Sequence, residues 1–101
     1  MTKILDGKIV VYNEDDSYEI EHITAEFEED IHDVIGVVRC TGITIESDAP
    51  SQINSEAEDE LYNAFADIEY NDANGDGHYM KKARKAISKR TGVDTSQIAI
   101  E

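Results

Sequence analysis

Apolar and polar residues follow short-period patterns over the first half of the chain, which predicts β-strands there. Residues 9–12 form a continuous β-prone run, which favours a strand that is covered on both faces and central in its sheet. The Asp6-Gly7 pair just before it is typical of a two-residue hairpin turn, because Gly accepts the positive φ of a type I′ turn. Residues 18–22 alternate with period two, so we expect the Tyr and Ile of this run to point inward and its Glu residues into water.

The pattern changes after Ile23. Apolar residues then follow at spacings of four, three and one, namely at Phe27, Ile31, Val34 and Ile35. This spacing suits a helix rather than a strand, and Thr24 and Gly36 are suitable residues for its N-cap and C-cap. We therefore expect a short helix over residues 24–35, while a strand through Phe27 is the competing interpretation.

Residues 37–46 are rich in β-branched residues, but their apolar positions change phase across Thr41-Gly42. The apolar residues on the two sides of this pair are Val38 and Cys40, then Ile43 and Ile45. A β-bulge produces such a change, because one extra residue enters the strand and Gly tolerates its backbone. We expect a bulged strand here, followed by a loop over residues 47–51.

The segment from Ser55 to about Tyr70 is predicted to be an amphipathic helix. Ser55 and Glu58 have the spacing of a capping box, in which each side chain bonds the other residue's backbone N–H. Apolar residues follow at i, i+3, i+4 and i+7, ending at Ile68. The exposed side of this helix is expected to be acidic.

A second amphipathic helix is predicted from about His78 to Thr91, with a basic exposed side. Gly92 is suited to the left-handed conformation that ends many helices. Residues 97–100 are apolar enough for a short last strand. These elements together predict an α+β fold in one domain over residues 1–101: a small, mostly antiparallel sheet with two long helices packed on one face and a possible third short helix.

Composition fits a folded domain in a reducing compartment. Hydrophobic residues make up 40% of the 101 residues, which argues against disorder over the whole length. The single Cys40 excludes an intramolecular disulfide framework. No apolar segment approaches the ~20 residues that a membrane-spanning helix needs, and the polar N-terminus does not resemble a signal peptide. We therefore expect a cytoplasmic protein with no membrane partner.

Charge divides the chain at Met80. Of the 23 Asp and Glu, all but two lie up to this residue, whereas six of the nine Lys and Arg lie beyond it. The formal net charge is −14 at pH 7, so most of the surface is expected to repel nucleic acid and attract basic proteins. No nucleophile has an evident base beside it and no phosphate-binding loop is present, so we expect a protein that is not an enzyme.

Carboxylates in rows on two rigid helices are the most distinctive predicted feature. The carboxylates assigned to partner binding are Glu26, Glu28, Glu29, Asp30, Asp33, Glu56, Glu58, Asp59, Glu60 and Asp67. Such rows can occupy the basic groove of a nucleic-acid-binding protein, because long-range attraction steers them in. The expected function is therefore a small inhibitor that mimics DNA, of the kind by which phage proteins disarm restriction or CRISPR enzymes, with no cofactor. The competing interpretation is an acidic surface that is only solvated.

An alternative function is calcium binding between the two helices. Residues 72–78 resemble the first half of an EF-hand loop, which joins two helices in the same way. The oxygen ligands would come from Asp72, Asn74, Asp76 and the carbonyl of His78. The second half does not fit, because Ala83 stands where a bidentate Glu is required. A turn that only joins the helices is the competing interpretation.

The basic side of the last helix suggests a further alternative. Its cations are Lys81, Lys82, Arg84, Lys85 and Lys89. A continuous basic face can bind nucleic acid, because phosphate contacts dominate such affinity, or it can mediate self-association in a homodimer. The competing interpretation places this face beside the protein's own acidic helices, where it would balance their charge.

Overall fold

The computed structural model describes residues 2–12, 16–29, 37–71 and 77–101. Within them the chain forms, in order, β1 (Thr2–Leu5), β2 (Lys8–Val11), β3 (Ser17–Glu29), β4 (Val37–Ser47), α1 (Ser51–Phe65), β5 (Glu69–Asn71), α2 (His78–Thr91) and β6 (Ile98–Ile100). The predicted α+β fold is confirmed. No helix in these ranges is long and apolar enough to cross a membrane.

Strand β3 is the centre of a curled sheet with the order β1-β2-β3-β4-β5. These neighbours are antiparallel, and β4 pairs with β3 from Ile20 to Glu29. The other edge of β3 is shared, since β2 pairs with residues 17–19 and β6 runs parallel to residues 23–25. The prediction of a mostly antiparallel sheet that includes the last strand is confirmed.

The β1–β2 hairpin turns at Asp6 and Gly7, as predicted. Their φ angles of 52° and 78° are both positive, as a type I′ turn requires. The turn also meets the C-terminal end of α2: Gly7 donates its N–H to Thr91 O at 2.7 Å, and Gly7 O accepts from Ile20 N at 2.9 Å. Gly92 ends α2 with a φ of 79°, and a Cβ on it would lie 2.8 Å from Asp6 Cα. Both predicted glycine turns are confirmed, and they pack on each other.

The short helix expected over residues 24–35 is wrong for the part that the structure describes, since β3 continues to Glu29. A β-bulge at Glu21 explains the misleading pattern, because it adds one residue to β3 and shifts the period of two. Beyond the bulge the period resumes, with buried side chains at Ile23, Ala25 and Phe27. Residues 30–36 lie outside the described residues. The competing interpretation, a strand through this segment, is the correct one.

The bulge predicted in β4 is confirmed. Gly42 pairs with Glu26 and Cys40 pairs with the next residue of β3, so Thr41 is the extra residue. The Thr41 hydroxyl donates to Glu26 O at 3.3 Å. The extra residue explains the change of phase, because it leaves both Cys40 and Ile45 buried on the inner face of the sheet.

Helix α1 begins and ends earlier than predicted. It starts at Ser51, directly after Pro50, and ends at Phe65, so Ser55 lies inside the helix and the predicted capping box is wrong. Residues 69–71 leave the helix because they pair with β4 as strand β5. That pairing is a tertiary contact, and tertiary contacts override local helical preference.

Both helices pack on the inner face of the curled sheet, as predicted, and α2 occupies the predicted range His78–Thr91. Buried residues of the helices and the sheet form one cluster, which includes Leu61 of α1, Ile87 of α2 and Ile23 of β3. The outer face of the β3–β4 pair lies on the other side of the sheet. It carries the side chains that alternate with the core residues.

Candidate functional site

The outer face of the β3–β4 pair carries a group of carboxylates, which we term the acidic sheet face. It consists of Glu26 and Glu28 of β3 and Glu46 of β4, and all three are exposed; Glu19 of β3 is also exposed, but it pairs with β2 and lies opposite Lys8. Side chains two residues apart on one face of a strand are separated by ~6.6 Å. Glu26 and Glu28 therefore form a short row with that spacing.

The surroundings of this row leave its negative charge largely uncompensated. Glu26 lies over bare backbone, since its ladder partner is Gly42 and a Cβ on Gly42 would lie 3.5 Å from Glu26 Oε2. Glu28 has Arg39 as its ladder partner, but the guanidinium of Arg39 forms an ion pair with Glu69 of β5. Among the described residues, Arg39 is the cation that lies opposite the row, and it is directed to β5.

A second group of carboxylates lies on α1, beside the first hairpin. They line an open groove of about 590 Å³, which we term the α1 groove and which is formed by Thr2, Lys3, Tyr12, Glu56, Asp59 and Glu60. Glu56 and Asp59 are exposed, whereas Glu60 is half-buried. Tyr12 is 54% exposed. The groove is therefore acidic with one aromatic wall.

Glu58 has a structural role in the fold. Its Oε2 accepts the backbone N–H of Ile45 in β4 at 2.8 Å. Strand β5 covers the outer edge of β4 only from Val37 to Arg39, so at Ile45 this edge has no strand beside it among the described residues. Buried backbone N–H groups require an acceptor, and the carboxylate supplies it. The α1 side chain thus protects an exposed strand edge.

The carboxylates predicted to bind a partner do not form rows on two helices. On β3 the structure places Glu26 and Glu28; on α1 it places Glu56, Glu58, Asp59 and Glu60; Asp67 is exposed in the turn that follows α1. Asp30 and Asp33 lie outside the described residues, as does the side chain of Glu29. The predicted set lacks Glu46, although the period of two around it indicates an outward side chain.

Internal ion pairs neutralise few of these charges. Among the carboxylates and cations whose side chains the structure describes, Glu69 is the one carboxylate in an ion pair, with Arg39. The carboxylates of the acidic sheet face and of the α1 groove have none with a described cation. Both surfaces are therefore available to an external cation.

Helix α2 contains no acidic residue and directs its lysines away from the core. Its exposed lysines, which we term the basic helix face, are Lys81, Lys82, Lys85 and Lys89; Arg90, in the last turn, is exposed as well. Arg84, the fifth predicted member, is half-buried and donates its Nε–H to Ile98 O in β6 at 3.1 Å. No lysine of the basic helix face pairs with a described carboxylate, so the described residues do not support a face balanced by the protein's own acidic helices.

The calcium site stays a prediction. Asp72, Asn74 and Asp76 lie outside the described residues, and His78 begins α2 with an exposed side chain. Among the residues that the structure does describe, no group of three or more His, Cys, Asp and Glu side chains is arranged to hold a metal ion.

The single cysteine belongs to the core. Cys40 is 3% exposed, and its thiol lies 3.5 Å from Gly42 O as a donor. Burial raises the pKa of the Cys40 thiol above its ordinary value; the hydrogen bond to Gly42 acts in the opposite direction, and the Glu26 carboxylate adds to the rise. A buried, protonated thiol is not activated as a nucleophile.

Comparisons with protein-family models, with curated protein sequences and with solved structures find no match to this chain. Its function is therefore inferred from the chemistry of its own surfaces.

Proposed function

We propose that this chain is a small, non-enzymatic acidic protein that binds a basic, nucleic-acid-binding surface of a larger protein through the acidic sheet face. The observation that carries this proposal is that the carboxylates of this face are exposed and have no ion-pair partner among the described side chains. A surface neutralised by its own lysines would attract little, whereas an uncompensated one attracts and steers a cationic partner.

The rigidity of the acidic sheet face supports the same function. β4 pairs with β3 through Glu26 and Glu28, and on the other edge of β3 the pairing with β6 at residues 23–25 is followed by a hydrogen bond from Phe27 N to Glu101 O at 2.8 Å. Glu26 and Glu28 are therefore fixed relative to each other before any partner binds, and charges fixed in advance lose less conformational entropy on binding. Repeated negative charges along an extended backbone resemble the phosphates of a nucleic-acid strand. Binding by mimicry of that strand would displace nucleic acid and inhibit the partner.

The type of partner follows from size and charge. A chain of 101 residues with a net charge of −14 is a compact polyanion that can enter a groove built for nucleic acid. We propose a restriction or CRISPR enzyme as the class of partner, with the chain acting as an inhibitor of the phage type. The attraction extends over the Debye length of ~8 Å at physiological salt, so added salt should weaken binding.

The test is a pull-down of tagged chain from a nuclease-treated bacterial lysate at low and moderate salt. Three chains are compared: the wild type, the sheet variant E26Q/E28Q/E46Q, and a control that neutralises three exposed carboxylates of α1 and its following turn, E56Q/D59Q/D67N. Thermal unfolding of each chain checks that the fold is retained.

A basic nucleic-acid-binding protein should be retained by the wild type and by the control, lost with the sheet variant, and released by duplex DNA. Equal retention by all three chains, or loss with the control alone, would contradict the assignment to the acidic sheet face.

A further inference from the structure

The basic helix face has no role in the proposed function, and its arrangement is unfavourable for α2 alone. Lys81, Lys85 and Lys89 follow one another at i, i+4 spacing, and like charges at this spacing destabilise a helix. Helix α2 has no acidic residue to offset them. An anionic occupant would relieve this repulsion.

We propose that a second copy of this chain covers the basic helix face with its acidic sheet face. Both surfaces are exposed, both have no ion pair with a described side chain, and their charges are opposite. Their spacings also match. Side chains at i, i+4 on a helix are separated by ~6 Å along its axis, and those at i, i+2 on a strand by ~6.6 Å. Lys81 and Lys85 of one copy can therefore meet Glu26 and Glu28 of the next.

The two surfaces point in opposite directions. The buried residues of α2, which include Ala83 and Ile87, lie on the side of the helix that packs on the sheet. With 3.6 residues per turn, Lys85 lies on the opposite side of α2. The basic helix face therefore points away from the sheet, whereas the acidic sheet face lies on the other side of the sheet.

This geometry makes the contact head-to-tail. One contact between two copies uses the basic helix face of the first copy and the acidic sheet face of the second. The acidic sheet face of the first copy and the basic helix face of the second then stay unused. Heterologous contacts of this kind continue into longer assemblies unless the rotation closes a ring. Association should therefore continue beyond the dimer.

A second copy fits the basic helix face better than nucleic acid does. From Lys81 to Lys89 the row of lysines is ~12 Å long, whereas duplex DNA carries one charge per ~1.7 Å of its axis and extends far beyond such a row. The additional phosphates would lie against a chain whose net charge is −14. The acidic sheet face of a second copy has a limited length, so it does not extend far beyond the row of lysines as duplex DNA does.

Salt should act on this association in two ways. At about 0.01 M salt the Debye length of ~30 Å allows the net negative charges of two copies to repel each other. At about 0.1 M it falls to ~10 Å, so the local attraction between the two faces dominates; at about 1 M it is ~3 Å and the local attraction is also screened. The association should therefore be strongest at intermediate salt.

The test is sedimentation velocity of the purified full chain over a series of concentrations at intermediate salt. The average mass should rise from the monomer value of 11.3 kDa past that of a dimer. K81E/K85E should weaken the association by about tenfold or more, since two exposed ion pairs are reversed, and E26K/E28K should do the same. The control E56K/D59K, which changes the net charge as much as E26K/E28K does, should associate like the wild type.

The decisive variant combines K81E/K85E with E26K/E28K in one chain. It restores the wild-type net charge and exchanges the signs within the two proposed pairs, Lys81 with Glu26 and Lys85 with Glu28, so it should regain the association that each parent variant loses. Circular dichroism and thermal unfolding confirm that every variant is folded.

Three results would overturn the proposal: a wild-type chain that stays monomeric at all concentrations, a folded combined variant that fails to associate, or loss of association in E56K/D59K with none in E26K/E28K. A monomeric chain that binds a fluorescent oligonucleotide, and loses it with K81E/K85E, would assign the basic helix face to nucleic acid instead. The inference does not depend on the proposed function, because the purified chain alone tests it. Where both hold, the basic partner and the second copy compete for the acidic sheet face.

Discussion

Replacing Glu58 by Ala should destabilise the fold, although the residue lies on the acidic side of α1. Glu58 Oε2 accepts the N–H of Ile45 at 2.8 Å, and Ile45 is 3% exposed. A hydrogen bond to a charged group contributes ~1.5–3 kcal/mol to stability, and its removal leaves a buried N–H without its acceptor. The better helix propensity of Ala offsets a few tenths of a kcal/mol. We expect a loss of about 2 kcal/mol in the free energy of unfolding.

The loss should appear in urea unfolding followed by circular dichroism, with the midpoint shifted and the slope unchanged. In a domain of this size, 1 kcal/mol lowers Tm by ~4–8 °C, so the Tm of E58A should fall by about 8–16 °C. E58Q keeps an acceptor oxygen and should lose about 1 kcal/mol or less. D59A removes the same charge from the next residue, which is exposed, and should stay within ~0.5 kcal/mol of the wild type. Equal stability of E58A and D59A would refute the structural role of Glu58.

Two further predictions concern the end of α2 and the cysteine. Gly92→Ala should lower the free energy of unfolding by about 2–5 kcal/mol, because Ala is disfavoured by ~1–2 kcal/mol at positive φ and overlap of its Cβ with Asp6 adds ~1–3 kcal/mol. The control Gly42→Ala, whose Cβ has its nearest neighbour at 3.5 Å, should lower it by less than about 1 kcal/mol. Similar urea midpoints for the two variants would contradict this prediction. Cys40 should react with a disulfide reagent far more slowly in the native chain than in urea, because burial raises the pKa of its thiol from the ordinary 9.0. Above that pH the thiol of the unfolded chain loses its proton before the thiol of the folded chain does, so the stability of the wild type should fall by more than that of Cys40→Ala. Fast reaction of the native thiol with the disulfide reagent would contradict the burial of Cys40.

Elements whose local and tertiary requirements agree could be predicted from the sequence. The Asp6-Gly7 turn and the end of α2 at Gly92 both need a positive φ, which Gly provides with no steric cost. The range of α2 was predictable because the apolar spacing and the basic exposed side indicate the same helix face.

Elements held by distant partners could not be predicted in this way. The bulge at Glu21 shifts the period of β3, and several Glu residues, which are good helix formers, follow it. Pairing with β4 and β6 keeps this segment a strand. The spacing of Ser55 and Glu58 is that of a helix start, yet α1 begins at Ser51 and Glu58 bonds to β4.

In the candidate site, too, some features follow from the local sequence and others depend on distant partners. The exposure of Glu26 and Glu28 could be predicted, because these residues alternate with apolar ones whichever neighbours they have. Their placement on a sheet face with Glu46 depends on the pairing of β3 with β4, and the period of two around Glu46 gives its direction but not its neighbours. No local sequence pattern predicts the hydrogen bond between Glu58 and the edge of β4.

The most direct test of the central claim is a competition measurement with the basic partner that the wild-type chain retains. Fluorescent duplex DNA is bound to the purified partner, and wild-type chain, E26Q/E28Q/E46Q or E56Q/D59Q/D67N is titrated in at about 0.1 M salt, where the Debye length is ~10 Å. The account predicts that the wild type and the α1 control displace the DNA, and that the sheet variant needs at least about tenfold more protein, the equivalent of ~1.4 kcal/mol. A partner that binds the chain and keeps its DNA, or displacement by all three chains at equal concentrations, would contradict it.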